Sequence, residues 1–304
     1  MERTGARPSR RTILTLGAGT ALAALTTGGT AYAATPGGDR IARRLRELEQ
    51  KHSARLGVFA HNTVTGRTVT HRADELFPMC STFKTLAVAA VLRDLDRDGE
   101  FLAKRIHYTK KEVKDSGYDE ITGTDTNVAN GMTVEELCAA AISYSDNGAA
   151  NLLLRELGGP TAVTRFCRST GDRITRLDRW EPTLNSAEPD RTTDTTTPRA
   201  IGRTYARLVL GNVLDPADRK RLTGWLLANT TSDNRIRKNL PAGWTVADKT
   251  GAGSYGTNND VAITWSPQGA PIVMSVLTTK HEATAKGDDD LVAGTAEILA
   301  SALG

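Results

Sequence analysis

Three short clusters in this 304-residue chain carry residue types suited to nucleophilic chemistry. Ser81-Thr82-Phe83-Lys84 puts a hydroxyl and an amine three residues apart. On a helix that spacing sets both on one face, one turn apart and within hydrogen-bond reach. A serine hydroxyl is a poor nucleophile on its own and needs such a proton acceptor. At a helix start the Ser81 backbone N–H is also unpaired and free to donate to an oxyanion. S-x-x-K alone is common enough to arise by chance. Ser145-Asp146-Asn147 adds a hydroxyl able to relay a proton and an amide able to hold a lysine or a substrate. Ser232-Asp233-Asn234 repeats the tripeptide in a polar stretch and reads as coincidence. Lys249-Thr250-Gly251 ends a strand pattern and is followed by Ala252-Gly253. A strand edge of small residues lets a substrate lie alongside, while the lysine supplies positive charge.

The elements that must position these residues follow from periodicity. Ile41, Leu45 and Leu48 predict a helix over Asp39–Glu49. Leu56–Ala60 and Arg67–His71 predict two strands around turn residues. Helical patterns follow at Thr82–Asp94, at Thr133–Ile142 behind a capping box, at Asn151–Leu157 and at Ala200–Leu210. Arg176–Arg199 has almost no periodicity, and a loop that long inside a domain is usually functional. Strands return at Trp244–Asp248, Asp260–Trp265 and Pro271–Thr278, and a helix over Asp289–Leu303 closes the chain. Strands at both ends with helices between predict α/β plus all-α architecture. Residues 34–80 and 228–304 build the α/β part, and residues 81–227 form an inserted helical domain carrying the 176–194 loop.

Taken in order, S-x-x-K, S-D-N and K-T-G resemble the active-site serine penicillin-recognising proteins. Arg179-Trp180-Glu181-Pro182-Thr183-Leu184-Asn185 narrows the likeness to class A serine β-lactamases, with Arg179 and Asp194 at the spacing of that family's loop-closing ion pair. The resemblance spans essentially the whole chain after residue 33. It implies an antiparallel sheet of about five strands flanked by the N- and C-terminal helices. It implies that Ser81 attacks the β-lactam carbonyl while the N–H groups of Ser81 and Ala252 hold the oxyanion. Lys84, or Glu181 through a water, takes the serine proton, and Ser145 protonates the departing nitrogen. Asn147 holds Lys84 and the substrate amide, Glu181 and Asn185 activate the hydrolytic water, and Lys249, Thr250 and Gly251 bind substrate. Glu181-Pro182 falls where such loops often carry a cis bond.

Several positions depart from common members. No arginine follows K-T-G in Gly256-Thr257-Asn258-Asn259, so Arg235 is expected to meet the substrate carboxylate, with Arg237 as the fallback. The Tyr-Ser-Pro of the cleft rim is missing within a lengthened 110–130 segment, leaving Tyr118 as the candidate rim aromatic. Cys138 lacks its customary partner because Val88 stands there, and Cys80 and Cys167 read as buried small hydrophobes.

Composition sets the outer limits. The charge is +4, but residues 1–33 hold four arginines against one acid, so the remainder is nearly neutral at +1. A basic start with Arg10-Arg11, an apolar run and Ala31-Tyr32-Ala33 predict a cleaved signal of the twin-arginine type, hence a secreted or periplasmic protein. The basic balance therefore points to no nucleic acid and, after cleavage, to no membrane. Five scattered histidines lack zinc-ligand spacing, and no phosphate loop appears, so neither metal nor cofactor is expected. The implied partner is a small β-lactam, penicillins and some cephalosporins, bound by a monomer. A D-alanyl-D-alanine peptidase that β-lactams merely inhibit would not need Glu181 or Asn185. A non-enzymatic sensor would need a membrane segment.

Overall fold

The computed structural model describes residues 36–304, so the expected signal peptide at 1–33 lies outside the described residues. Helix α1 (Pro36–Lys51) carries Asp39 in its first turn and Lys51 in its last, each matched to the helix dipole. Strands β1 (Arg55–Asn62) and β2 (Thr68–His71) pair antiparallel. In the turn between them Asn62 Oδ1 accepts from the N–H groups of Val64 and Thr65. β3 (Phe77–Pro78) leads through a 3₁₀ turn at Cys80–Thr82 into α2 (Phe83–Ala90). Every residue of α2 is buried, which makes it the central helix.

Short elements follow: α3 (Glu100–Ala103), β4 (Arg105–Ile106), α4 (Lys110–Lys114), α5 (Asp125–Asn130) and β5 (Met132–Thr133), with β4 paired to β5. α6 (Val134–Ser143) starts at the capping box, where Thr133 and Glu136 satisfy each other's backbone N–H groups. α7 (Asn147–Glu156) begins four residues ahead of the predicted Asn151, because the Asp146 carboxylate accepts from Ala149 N and caps it. The periodicity singles out neither α8 (Thr161–Ser169) nor, later, α10 (Pro216–Leu227). β6 (Thr195–Thr196) pairs with β3, and α9 (Pro198–Val209) follows behind a Thr197 cap. β7 (Thr245–Gly253), β8 (Thr257–Trp265), β9 (Pro271–Thr279) and α11 (Asp289–Leu303) end the chain, α11 having the predicted bounds.

The main sheet runs β2-β1-β9-β8-β7, antiparallel throughout. This is the expected five-stranded sheet flanked by terminal helices. Alternate residues sort to its two faces. Leu56, Val58, Ala60, Ile272, Met274 and Val276 pack with α1 and α11. Phe59, Val261, Ile263 and Val273 face a larger core that runs on into α2, α6, α7 and α8. Both faces are covered, so β8 and β9 are buried almost throughout and their sequences read as apolar runs. Gly202 allows α9 to lie this close to the sheet, since a Cβ there would meet Phe59 Cδ1 at 2.8 Å.

Candidate active site

Ser81 sits in the 3₁₀ turn that opens α2, 8% exposed, and the preceding Cys80 has φ 45°. A left-handed non-glycine residue is uncommon and here throws the serine toward the loop opposite. Tyr205 Oη pins this turn by donating to Thr82 O at 2.7 Å. Strand β7 passes close beside it: a Cβ on Gly251 would lie 2.9 Å from Met79 O and 3.1 Å from Ser81 N. Glycine is required by that close approach.

The structure gathers the three clusters and the loop around Ser81. Lys84, fully buried one turn into α2, donates to Asn147 Oδ1 at 2.5 Å, to Ser145 O at 2.7 Å and to Ser145 Oγ at 3.4 Å. Its Nζ is also 3.2 Å from Glu181 Oε1. Ser145 lies at the α6–α7 joint with φ 60°, which turns its carbonyl and hydroxyl to the lysine. No hydrogen bond joins Ser81 directly to Lys84, contrary to the helical-spacing expectation. The ammonium is drawn to stronger acceptors, and Glu181 Oε1 bridges the two, accepting from Ser81 Oγ at 3.4 Å.

Glu181 belongs to the 176–194 loop, and the Glu181–Pro182 bond is cis. Asn185 Nδ2 donates to Glu181 Oε2 at 2.5 Å, while Asn185 Oδ1 is buried without a partner among the described residues. Arg179 Nε meets Asp194 Oδ2 at 2.5 Å, with Asp194 1% exposed, so the ion pair that the resemblance implies is formed. Asp194 also accepts from the N–H groups of Asp178 and Arg179. Asn151, which the sequence reading passes over, clamps the loop from α7. Its Oδ1 accepts from Glu181 N at 3.0 Å and its Nδ2 donates to Glu181 O at 2.9 Å. Its place four residues after Asn147, on the same helical face, is the signal that would find it.

The K-T-G tripeptide lies inside β7, which continues to Gly253, and so does not end the strand as the hydrophobic pattern suggests. Small residues hide the continuation from a hydrophobicity reading, while pairing with β8 holds it down to Gly253↔Thr257. Lys249 is fully buried, and its Nζ donates to Thr250 O at 3.1 Å. Arg235 Nη1 reaches Asn259 O at 2.9 Å and Gly251 O at 3.3 Å, with Nε on Asp289. Arg237 is instead engaged by Asp248 and by the carbonyl of Val246 at the other end of β7. Tyr118 is 44% exposed and donates to Glu120 Oε2, and its own carbonyl accepts from Asn147 N at 2.8 Å. Ala252 is exposed on the outer side of the edge strand. The second S-D-N lies between α10 and the 3₁₀ turn at Ile236–Asn239, and Lys84 bonds to Ser145 and Asn147 of the first copy rather than to it. Cys80, Cys138 and Cys167 are buried free thiols. Among the described residues no cluster of three or more His, Cys, Asp or Glu could hold a metal.

The electrostatics are those of cations removed from water. Burial pushes the Lys84 ammonium below the usual lysine range, although the Glu181 carboxylate opposes this. Burial pushes Lys249 well below it, helped by the positive charges of Lys84 and Arg235. A weakly held proton on Lys84, a carboxylate bridging it to a hydroxyl, and a cationic strand edge suit acyl transfer to an anionic substrate.

Comparison with known proteins agrees with this chemistry. A family model described as Beta-lactamase enzyme family matches residues 40–303. A beta-lactamase of Streptomyces lavendulae is 69% identical over the whole of both chains. One from Streptomyces albus G is 62% identical over 98% of each chain. A solved beta-lactamase from Streptomyces albus G superimposes with TM-score 0.86 at 65% identity, covering 87% of this chain and all of that one. An ancestral class A beta-lactamase gives TM-score 0.81 at 50% identity, over 86% and 99%.

Proposed function

The chain belongs to the beta-lactamase enzyme family and is a class A serine β-lactamase that hydrolyses β-lactams, and on that premise we propose the residues and steps by which it does so. Ser81 Oγ attacks the lactam carbonyl and its proton passes to Glu181 Oε1, directly or through a water. The bridging position of Glu181 between Ser81 and Lys84, at 3.4 and 3.2 Å, is the observation that carries this reading. The N–H groups of Ser81 and Ala252 hold the oxyanion, since a rigid donor pair stabilises charge as it develops. Lys84, Ser145 and Asn147 form one hydrogen-bonded unit through which a proton reaches the departing nitrogen from Ser145 Oγ. Removing that proton from the unit is eased by the depressed basicity of the buried lysine.

Deacylation needs a water held between acceptors on the serine's side of the acyl group. Glu181 and the unpartnered Asn185 Oδ1 supply them. This step separates a hydrolase from an enzyme that stays acylated. Lys249, Thr250 and Gly251 line the substrate's anionic side, with Arg235 as the second cation. Its bond to Gly251 O supports that choice over Arg237. Ala252 offers no hydroxyl to the substrate carboxylate, and penicillins are therefore preferred to bulky oxyimino-cephalosporins.

The route to the site is export: a twin-arginine signal removed after Ala33, releasing a monomer. Among the described residues no helix is long and apolar enough to cross a membrane. Replacing Arg10 and Arg11 by lysines is expected to stop appearance of the protein outside the cell, and undiminished export would refute the route.

The decisive experiment on mechanism follows protein mass during penicillin turnover. Ser81→Ala is expected to show neither adduct nor turnover. Glu181→Gln is expected to accumulate a penicilloyl adduct and to turn over at least a hundredfold more slowly. Wild-type turnover in Glu181→Gln would overturn the assignment.

A further inference from the structure

On the far side of α9 a groove of about 340 Å³ opens between that helix and the ends of β1, β2 and β9. None of the residues around Ser81 lines it. Arg199, Arg203 and Arg207 stand along one face of α9 at four-residue intervals and border the groove. Phe59 forms its floor, with the Arg199 and Arg203 guanidinium carbons 5.3 and 5.8 Å from the ring centroid. His61 stacks on the same ring at 6.5 Å. Arg199 is neutralised by Asp74 through two bonds of 2.7 and 2.9 Å. Among the described residues neither Arg203 nor Arg207 forms an ion pair, although the Arg203 charge helps Arg199 lower the Asp74 carboxyl and Arg207 has no such neighbour.

That arrangement is unusual in a protein whose charge after residue 33 is only +1. Like charges one helical turn apart repel. The buried face of α9, made by Ile201, Gly202, Tyr205 and Leu208, packs the helix without them. The aromatic floor lowers the freedom of the Arg199 and Arg203 guanidinium planes, so less is lost when Arg203 binds. Guanidinium forks repeated along a line match phosphate oxygens repeated along a chain.

We propose that this groove binds a linear phosphate polyanion, with Arg203 and Arg207 each taking one phosphate. The site is independent of β-lactam hydrolysis and leaves it unaltered. Two sources share this chemistry, a free oligophosphate and a phosphodiester polymer at a cell surface.

The test titrates the protein with inorganic tripolyphosphate and, separately, with a synthetic glycerol-phosphate oligomer, by calorimetry at low and at moderate salt. Binding that weakens as salt rises is expected, and at least tenfold weaker in R203A/R207A, with penicillin kcat/KM unchanged. The tighter of the two probes identifies the source. Because losing the Arg203 contact with Phe59 could destabilise the double variant, R207Q, which leaves that contact intact, is expected to weaken binding by itself. Equal binding in the wild type and R207Q, or no binding of either probe by the wild type, would overturn the proposal.

Discussion

At the scale of single residues, the site works by holding charged groups where water cannot reach them. Lys249 is the sharpest case, because burial and two neighbouring cations all weaken its hold on a proton. Its folded pKa lies below the unfolded value, so between the two the unfolded chain binds more protons. Stability then rises with pH across that window and levels off near the ordinary lysine value of about 10.4. In the proposed mechanism function runs the other way, since Lys249 is assigned to meet an anionic substrate as an ammonium. KM for benzylpenicillin is expected to climb with pH from well below the normal lysine range while kcat changes little. Lys249→Arg is expected to push that limb upward, because a guanidinium stays protonated. A limb that Lys249→Arg leaves in place would remove Lys249 from substrate binding. Asn151 is a positioning residue of the same network. Asn151→Ala is expected to slow deacylation more than acylation, read as a longer-lived adduct with KM lowered along with kcat. The residue types were legible in advance, since S-x-x-K, S-D-N, E-x-x-L-N and K-T-G stand in order. Which atom meets which was legible only in part: the resemblance sets Asn147 against Lys84, and the two are hydrogen-bonded, but helical spacing also puts Lys84 next to Ser81, and its ammonium goes to Ser145 instead.

Elements decide whether that network stays assembled. The 176–194 loop has little regular structure and is held by buried polar bonds, chief among them those of Asp194. Hydrogen bonds to a buried charge are worth about 1.5–3 kcal/mol each way they are broken. Asp194→Asn keeps the shape but loses the charge, and is expected to lower stability by about that amount and to leave the acyl-enzyme longer-lived. Thermal denaturation and mass spectrometry check the two effects separately, and a variant with normal deacylation would detach the ion pair from function. The helix boundaries follow caps more faithfully than hydrophobic periods. Thr133, Asp146, Thr197 and Asp215 each accept from backbone N–H groups at a helix start, and Asp146 explains why α7 reaches back to include Asn147. The short pairs β3–β6 and β4–β5 escape a sequence reading because two-residue strands have no period to detect.

For the molecule as a whole, the arrangement rests on close contact between a helical layer and a sheet closed by both ends of the chain. Gly202 is one tight point of that contact. Gly202→Ala places a Cβ 2.8 Å from Phe59 Cδ1, where overpacking costs about 1–3 kcal/mol. Its Tm is expected to fall while penicillin turnover at low temperature persists, because no catalytic group is touched. An unchanged Tm would mean that α9 can shift away from the sheet without cost.

The amino-acid sequence by itself determined the class of chemistry, the strands at both ends with helices between them and the order of the motifs, while the five-stranded antiparallel sheet came from the family resemblance those motifs carry. These depend on residue type, local periodicity and spacing, which are properties of the chain. Only the tertiary structure decided that Glu181 from a distant loop stands between Ser81 and Lys84, that Asn151 clamps it, and that Arg235 rather than Arg237 adjoins Gly251. Those contacts join residues up to a hundred positions apart. Their geometry is set by how closely elements pack and by which buried polar atoms compete for one another, and no local pattern encodes either.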